Sequence, residues 1–270
     1  SSTGKVWGDG VSVVGNLVAD SDSSISGNVI NILGTNGNFD LTNLTRRPVN
    51  IRYIFRNALH FNGYRALLKL GTGILLLSRF HGDQPLLDPM CGSGTFPIEA
   101  AMIAQNRAPG LGRAFAAEEW NFLPPDTFTK AREEARDSAT SRPLAILGSD
   151  IDGRSIDLCK KHAKKAGVML QWAVRDFHDY QKDPSLLSFA NGQAGLLVCN
   201  PPYGERLGER KEAEALYRGL RALADALPGW RQSIITSHRD FEKVYGKRAD
   251  NRRKLSNGGM PCTLYQFFRE

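Results

Sequence analysis

The chain has 270 residues, 41% of them hydrophobic and 23% charged, with 35 Lys and Arg against 28 Asp and Glu and a formal net charge of +7. That composition suits one large domain, or one domain with an appendage, and supplies ample core. The positive balance points toward a polyanionic partner.

The four cysteines, Cys91, Cys159, Cys199 and Cys262, are far apart and form no C-x-x-C pair. Neither a zinc site nor a disulfide framework is indicated, so a reduced, cytoplasmic setting and no metal are expected. The longest apolar run, "GTGILLLS" at 71–78, is too short to span a bilayer. The start, "SSTGKVWGDG", lacks the basic segment and apolar core of a signal peptide.

Residues 1 to about 48 are rich in Gly, Ser, Asn and Asp, with short β-like runs "VSVVGNLVA" and "NVINILG", and a further run "VNIRYIF" follows at 49–55 in the segment 1–62. That segment reads as a small β-containing appendage or a partly ordered leader, set before a domain at 63–270. From Tyr64 the texture becomes helical, "RALLKLGTGILLLSRF" carrying a long apolar face. The chain then alternates. Strands are expected at "QPLLDPM", "PLAILGSD", "LQWAVRDF", "AGLLVCN" and "RQSIITS", and helices at "FPIEAAMIAQNRA", "GRSIDLCKKHAKKAG" and "EAEALYRGLRALADAL". The end, "RRKLSNGGMPCTLYQFF", reads as two strands about a loop of Asn257, Gly258 and Gly259. Such alternation predicts an α/β fold, a mostly parallel sheet with helices on both faces and a C-terminal antiparallel hairpin. Ligands of such sheets bind beyond the carboxyl ends of the strands. Residues 105–143 interrupt the pattern with an insertion that includes the helix "TKAREEARDSA". Its aromatics Phe115, Trp120, Phe122 and Phe128 are expected to pack, with a lid over the cleft as the alternative.

"LLDPMCGSGTFPIEAA" joins the first strand of the alternation to its helix. Gly92 and Gly94 permit a tight turn and close approach of a ligand to bare backbone. No Gly-Lys-Ser/Thr follows, and G-x-G-x-x-G is absent because Thr95, Phe96 and Pro97 come after Gly94, so neither a P-loop nor a dinucleotide fingerprint is present. Asp88 before the glycines repels a pyrophosphate and attracts a cation, such as a ligand carrying an ammonium and a sulfonium. The alternative is a generic strand-to-helix turn.

A second stretch, "VCNPPYGERLG" at 198–208, ends an apolar run in Asn200, Pro201, Pro202 and Tyr203. The prolines lack backbone donors and fix φ, so the chain leaves the sheet at Asn200 and Tyr203 sits on a rigid loop. A loop that merely begins with turn-forming residues is the plain alternative.

"DPMCGSGT" together with "NPPYGERLG" resembles the Rossmann-like S-adenosylmethionine-dependent methyltransferases. More narrowly, "IEAAMIAQNRAPG", "EEW", "GSDID" and "FEKVYGKRADNRRKL" resemble the bacterial N2-guanine methyltransferases of large-subunit ribosomal RNA. The likeness runs from about Gly63 to Glu270. Those enzymes usually carry an RNA-binding THUMP domain ahead of the catalytic one, whereas here some sixty residues with no recognisable domain pattern stand in its place, an appendage or leader for which a THUMP remnant is one reading. The resemblance implies S-adenosyl-L-methionine as cofactor and RNA as partner. Asp88 and the backbone of Cys91, Gly92 and Gly94, with Met90 and Thr95 beside them, would hold its methionine end. Asp150, followed by Ile151, would accept from the ribose hydroxyls, with Asp152 the N-cap of the next helix. Asp176 and Phe177 would meet the adenine, although a turn-forming Asp176 fits the sequence as well.

The chemistry follows from the target. An exocyclic amine on a base is a poor nucleophile because its lone pair is delocalised into the ring. Two acceptors aimed at its hydrogens, the Asn200 side-chain oxygen and the Pro201 carbonyl, favour a pyramidal nitrogen with its lone pair on the line of attack. Tyr203 would stack on the base, and the nucleotide would be flipped out or unpaired. Phosphate contacts would come from Arg206, Lys247, Arg248, Arg252 and Arg253, against a plain solvated charged loop. The same chemistry serves adenine N6 in DNA or RNA, or a protein glutamine. A catalytically idle RNA-binding module with this fold is a different class, and a nicotinamide enzyme is disfavoured by the missing fingerprint.

Overall fold

The computed structural model describes six strand backbones between residues 5 and 40, and residues 66–109, 111, 112, 114, 118, 125–204, 209–257 and 260–268. The "VNIRYIF" run, Phe115, Trp120, Phe122 and Arg206 lie outside them. The chain forms two compact units, Ser1–Arg65 with Ala108–Ala139, and Ala66–Arg107 with Thr140–Glu270.

In the first unit, β1 (Lys5–Trp7), β2 (Val11–Val14) and β3 (Leu17–Val18) pair in parallel with β4 (Ser24–Ser26), β5 (Ile30–Leu33) and β6 (Phe39–Asp40), respectively. Lys5 pairs with Ser24 and Val11 with Ile30, both nineteen positions on, and Leu17 with Phe39, twenty-two positions on. The runs expected at 11–19 and 28–34 contain strands, but they pair in parallel across an intervening stretch of chain, which alternation alone does not reveal. The same unit holds α3 (Thr127–Asp137), where Phe128 is buried and the Arg132 guanidinium lies 5.9 Å from its ring centroid.

The second unit begins with α1 (Ala66–Leu77) and proceeds β7 (Leu86–Asp88), α2 (Thr95–Ala104), β8 (Ile146–Asp150), α4 (Gly153–Ala166), β9 (Gln171–Val174), α5 (Asp179–Lys182), a 3₁₀ turn (Pro184–Ala190), β10 (Leu196–Cys199), α6 (Glu209–Asp225), β11 (Arg231–Thr236), α7 (Phe241–Tyr245), β12 (Asn251–Asn257) and β13 (Met260–Phe267). Its seven-stranded sheet has the order β12-β13-β11-β10-β7-β8-β9. Strands β7 to β11 pair in parallel and β13 is antiparallel to both neighbours. This is the Rossmann-like arrangement expected from the alternation, hairpin included. Short α5, α7 and the 3₁₀ turn were not foreseen, because segments of four to seven residues carry too little periodicity to register.

Leu86, Leu87, Leu196, Leu197, Val198 and Cys199 are all 0% exposed, as strands covered on both faces require. On one face α1, α2 and α4 close over Ile74, Phe96, Ala101, Ala163 and Val198. On the other, α5, α6 and α7 close over Tyr180, Tyr217, Phe241 and Leu197. Each such large side chain contributes about 1.5–3 kcal/mol by leaving water. The two edge strands differ: β9 exposes Gln171 and Val174, and β12 exposes Arg252, Arg253 and Lys254. Strand order reverses between β7 and β10, and the crevice beyond their carboxyl ends is where sheets of this kind receive ligands.

Candidate active site

Five loops leave the carboxyl edge beside this crevice. After β7, Met90 N–H donates to Asp88 Oδ1 at 3.3 Å and Cys91 N–H donates to the Ser149 carbonyl at 2.9 Å, tying the turn to β8. Gly92 has φ 52°, and a Cβ placed there meets nothing within 4 Å, so its backbone faces open space. Gly94 differs. It is the left-handed N-cap of α2, and a Cβ would stand 2.9 Å from Trp172 Cη2 and 3.0 Å from Cys159 Sγ. Helix packing, rather than ligand approach, accounts for glycine at 94.

Asp150 joins two loops. Its Oδ2 accepts from Gly92 N–H at 2.9 Å and its Oδ1 from Asp152 N–H at 3.0 Å. A carboxylate has about four acceptor positions, so two remain. Asp152 caps α4 by accepting from Arg154 N–H at 2.9 Å. After β9, Asp176 Oδ1 accepts from His178 N–H at 3.0 Å and lies 2.7 Å from His178 Nδ1. The backbone hydrogen bond, then the imidazole, hold the Asp176 carboxyl below its ordinary range. Phe177 is 4% exposed, its ring centroid 4.0 Å from that of His178. Asp176 is therefore a turn former with its second oxygen uncommitted to either His178 contact.

After β10 the chain leaves the sheet at Asn200, as the prolines demand. Tyr217 of α6, fully buried, donates from Oη to the Pro202 carbonyl at 3.0 Å and lies 2.9 Å from Thr236 Oγ1, which accepts from His238 N–H. Burial pushes the Tyr217 phenol up to about 12. The Pro202 carbonyl is thus occupied from behind. In front, Tyr203 Oη donates to Asn200 Oδ1 at 2.7 Å, and Asn257 Nδ2 of β12 donates to Tyr203 Oη at 3.2 Å.

These groups enclose a cavity of about 520 Å³ whose walls include Met90, Gly92, Asp150, Ile151, Asp176, Phe177, Asn200, Pro201, Pro202 and Tyr203. A second, of about 140 Å³, is lined by Asp88, Cys91 and Thr95 and shares Met90, Gly92, Asn200 and Asn257 as walls. Gly94 lines neither. Arg175, His178, Leu216 and Asn257 also line the larger cavity and had not been singled out for it. Asn257 carried only a turn signal in the sequence, and Leu216 only the apolar period of its helix.

The basic residues stand apart. None of Lys247, Arg248, Arg252 and Arg253 lines either cavity. Through Tyr265 and Ile234, Arg252 is level with Cys199 but three strands away, roughly 14 Å at ordinary strand spacing. Arg252 lies 2.8 Å from Glu242 Oε2. Arg253, next along the strand, faces the other side of the sheet.

Electrostatically the crevice is acidic at its floor. Asp88 is 1% exposed, and burial pushes its carboxyl well above the usual range. A buried carboxyl held by one backbone donor is poised for a cation, which restores the ionised form. The Cys91 thiol is pushed up by its contact with Cys159 Sγ at 3.7 Å and then by burial. Among the described residues no group of three or more His, Cys, Asp or Glu is placed to hold a metal, and no helix is long and apolar enough to cross a membrane.

Residues 58–266 match the family model described as "RMKL-like, methyltransferase domain". The chain belongs to that family. Its relatives include the Bacillus subtilis (strain 168) protein named "Putative RNA methyltransferase YpsC", 38% identical over 220 residues that make up 78% of this chain and 55% of the relative. The "Ribosomal RNA large subunit methyltransferase K/L" of Hahella chejuensis (strain KCTC 2396) is 37% identical over 231 residues, 78% of this chain and 31% of the relative. Among solved structures, that of "SMU.472, a putative methyltransferase complexed with SAH" matches with a TM-score of 0.70 and 37% identity, over 80% of this chain and 56% of that one. The chain thus spans about half the length of the first relative and about a third of the second. S-adenosyl-L-methionine is the cofactor of this methyltransferase fold, and the cavity fits it on its own terms. The larger chamber lies within the roughly 300–1,000 Å³ of cofactor sites. Bare backbone at Gly92, two open acceptor positions on Asp150 and a buried carboxyl at Asp88 suit a ligand with a ribose diol and cationic groups.

Proposed function

We propose that this chain is the catalytic domain of an RNA methyltransferase acting in the cytoplasm on the exocyclic N2 amine of a guanine in 23S ribosomal RNA. The observation that carries the reading is that the Asn200 amide opens into the same cavity as Gly92 and Asp150. The names of the relatives support an RNA substrate.

In this reading Asp88, with Met90, Cys91, Gly92 and Thr95 around the turn, holds the methionine end, and Gly94 serves the packing of the helix behind it. Asp150 with Ile151 holds the ribose, and Asp176 with Phe177 the adenine. The bound cofactor supplies an electrophilic methyl group on a sulfonium. Asn200 Oδ1 and the Pro201 carbonyl accept the two hydrogens of the target amine, localising the nitrogen lone pair for attack. The Pro202 carbonyl is engaged by Tyr217, which leaves its neighbour for the substrate. The Tyr203 ring forms the wall against which the flipped base stacks, such contacts being worth about 1–3 kcal/mol. Lys247, Arg248, Arg252 and Arg253 contribute at a distance from the cavity, and they and Arg206 act through phosphates.

The test is to map methylated positions in ribosomal RNA from cells with and without the protein and to identify the nucleoside by mass analysis. N2-methylguanosine that disappears with the protein supports the reading. Loss of N6-methyladenosine instead transfers the chemistry to adenine, and an unchanged map removes ribosomal RNA as substrate.

A further inference from the structure

The terminal hairpin enters the site in a way that the fold does not require. β12 runs three residues past the level where β11 ends, since Lys254 pairs with Thr263 and Thr263 with Thr236. The tip, Asn257 opposite Met260, therefore rises above the strand ends, and Asn257 lines both cavities. There it meets Tyr203, and Tyr203 meets Asn200.

The polarity of this chain of hydrogen bonds matters more than its strength. An amide side chain turns about a broad, roughly two-fold torsion, and a half-turn exchanges its oxygen for its NH₂ group. Asn200 is useful to an amine substrate only with its oxygen presented. A phenol has one proton, so Tyr203 either donates to an Asn200 oxygen or accepts from an Asn200 NH₂. Asn257 biases this choice. Its Nδ2 donates to the Tyr203 oxygen at 3.2 Å and so cannot take the phenol proton, which goes to Asn200 Oδ1 at 2.7 Å, with the Cys262 thiol as a further neighbour of the hydroxyl. The carbonyl oxygen of Asn200 accepts two hydrogen bonds, and the one from Tyr203 leaves the other for the target amine.

We infer that Asn257 is a positioning residue for the transfer: through the Tyr203 hydroxyl it fixes the Asn200 amide with its oxygen toward the acceptor amine. The inference rests on the assignment of Asn200 to the target amine. It makes the hairpin tip a working part of the site, although Asn257 touches neither cofactor nor substrate in this role. The half-buried Tyr203 and the hairpin residues Leu255 and Met260 pack against the same core cluster, which anchors loop and hairpin to one body.

Asn257→Asp discriminates, because it preserves shape while turning the donor into an acceptor. The Tyr203 proton is then drawn to the introduced carboxylate and Asn200 is released. With the full chain, in vitro transcribed ribosomal RNA and labelled S-adenosylmethionine, kcat is expected to fall about tenfold or more, with KM and S-adenosylhomocysteine affinity within about twofold. Asn257→Ala, which merely frees the hydroxyl, is expected to cost less. In a Tyr203→Phe background Asn257→Asp is expected to change kcat by less than about twofold, since the relay is already cut. An equal loss in both backgrounds identifies a charge effect and overturns the inference, as does wild-type kcat in Asn257→Asp. Asn200→Ala, run beside them, separates the two levels: normal turnover there refutes the underlying role of Asn200, whereas a crippled Asn200→Ala with a neutral Asn257→Asp refutes the relay alone. A crystal structure of Asn257→Asp with S-adenosylhomocysteine gives a readout independent of activity. The Tyr203–Asn200 hydrogen bond is expected to be lost, and its persistence at about 2.7 Å contradicts the inference.

Discussion

The turns after β7 and after β10 leave neighbouring parallel strands and face the same crevice, yet they are held in different ways. The first is held by its own backbone and by the adjoining β8: Cys91 N–H on Ser149, Gly92 N–H on Asp150, Met90 N–H on Asp88. The second is held by side chains from far along the sequence, Tyr217 behind and Asn257 in front. Prolines explain the contrast. A segment without backbone donors cannot brace itself, so its carbonyls and side chains are fixed by hydroxyl and amide groups brought in by α6 and β12. The lesson is that a rigid loop still needs external donors to define which way its acceptors face.

The sharpest way to break the comparison is Asn200→Ala. Turnover on the RNA substrate is expected to fall tenfold to a thousandfold, about 1.4–4 kcal/mol, with cofactor affinity little changed, as steady-state kinetics and calorimetry report. Near-normal turnover contradicts the role given to the second turn.

Asp88→Asn sharpens the first turn. Its folded-state carboxyl lies above the unfolded value because of burial. The unfolded chain therefore releases a proton that the folded one retains, and stability falls as pH rises above the unfolded carboxylate range, toward the folded value. The amide variant escapes this, so its melting temperature at neutral pH is expected to exceed that of the parent and to vary less with pH. Affinity for S-adenosylhomocysteine is expected to drop by about tenfold or more, for want of a charge opposite the ammonium. A lower melting temperature with unchanged affinity assigns Asp88 a purely structural role.

Tyr217→Phe removes the donor from the Pro202 carbonyl and strands the Thr236 hydroxyl. A fall in kcat of about tenfold, ~1.4 kcal/mol, is expected. No change in kcat means the prolines hold the loop unaided.

The smallest effect is expected at the edge. Single-stranded phosphate contacts give a salt slope of roughly −0.7 each. Arg252 already pairs with Glu242, and Arg253 faces the other side of the sheet, so neutralising both is expected to flatten the slope by about one such unit rather than two. A slope unchanged in the double variant removes this edge from the RNA surface.

How far the sequence was legible follows the same division. The strand–helix alternation and the crevice residues Gly92, Asp150, Asp176 and Asn200 were readable, because each sits where a strand meets a turn and local residue types dictate the geometry, whereas the strand order with its reversal between β7 and β10 was not. Gly94 was readable as a glycine but not in its reason, since Trp172 and Cys159 reach it from elements more than sixty residues away. Tyr217 reads as one apolar position in an amphipathic helix and Asn257 as a hairpin residue. Their second roles depend on tertiary placement. Arg252 and Arg253, adjacent in a charged run, look like one patch in sequence, whereas a strand sends them to opposite faces. The parallel pairing of β1 to β6 escaped for want of any residue-level repeat.

The most direct measurement is a crystal structure of this chain with S-adenosylhomocysteine. The account predicts the ribose hydroxyls on Asp150, the amino group at the Asp88 turn, and the sulfur facing the side chain of Asn200 with Tyr203 still bonded to it. A cofactor product bound elsewhere, or with its sulfur turned away from Asn200, contradicts it.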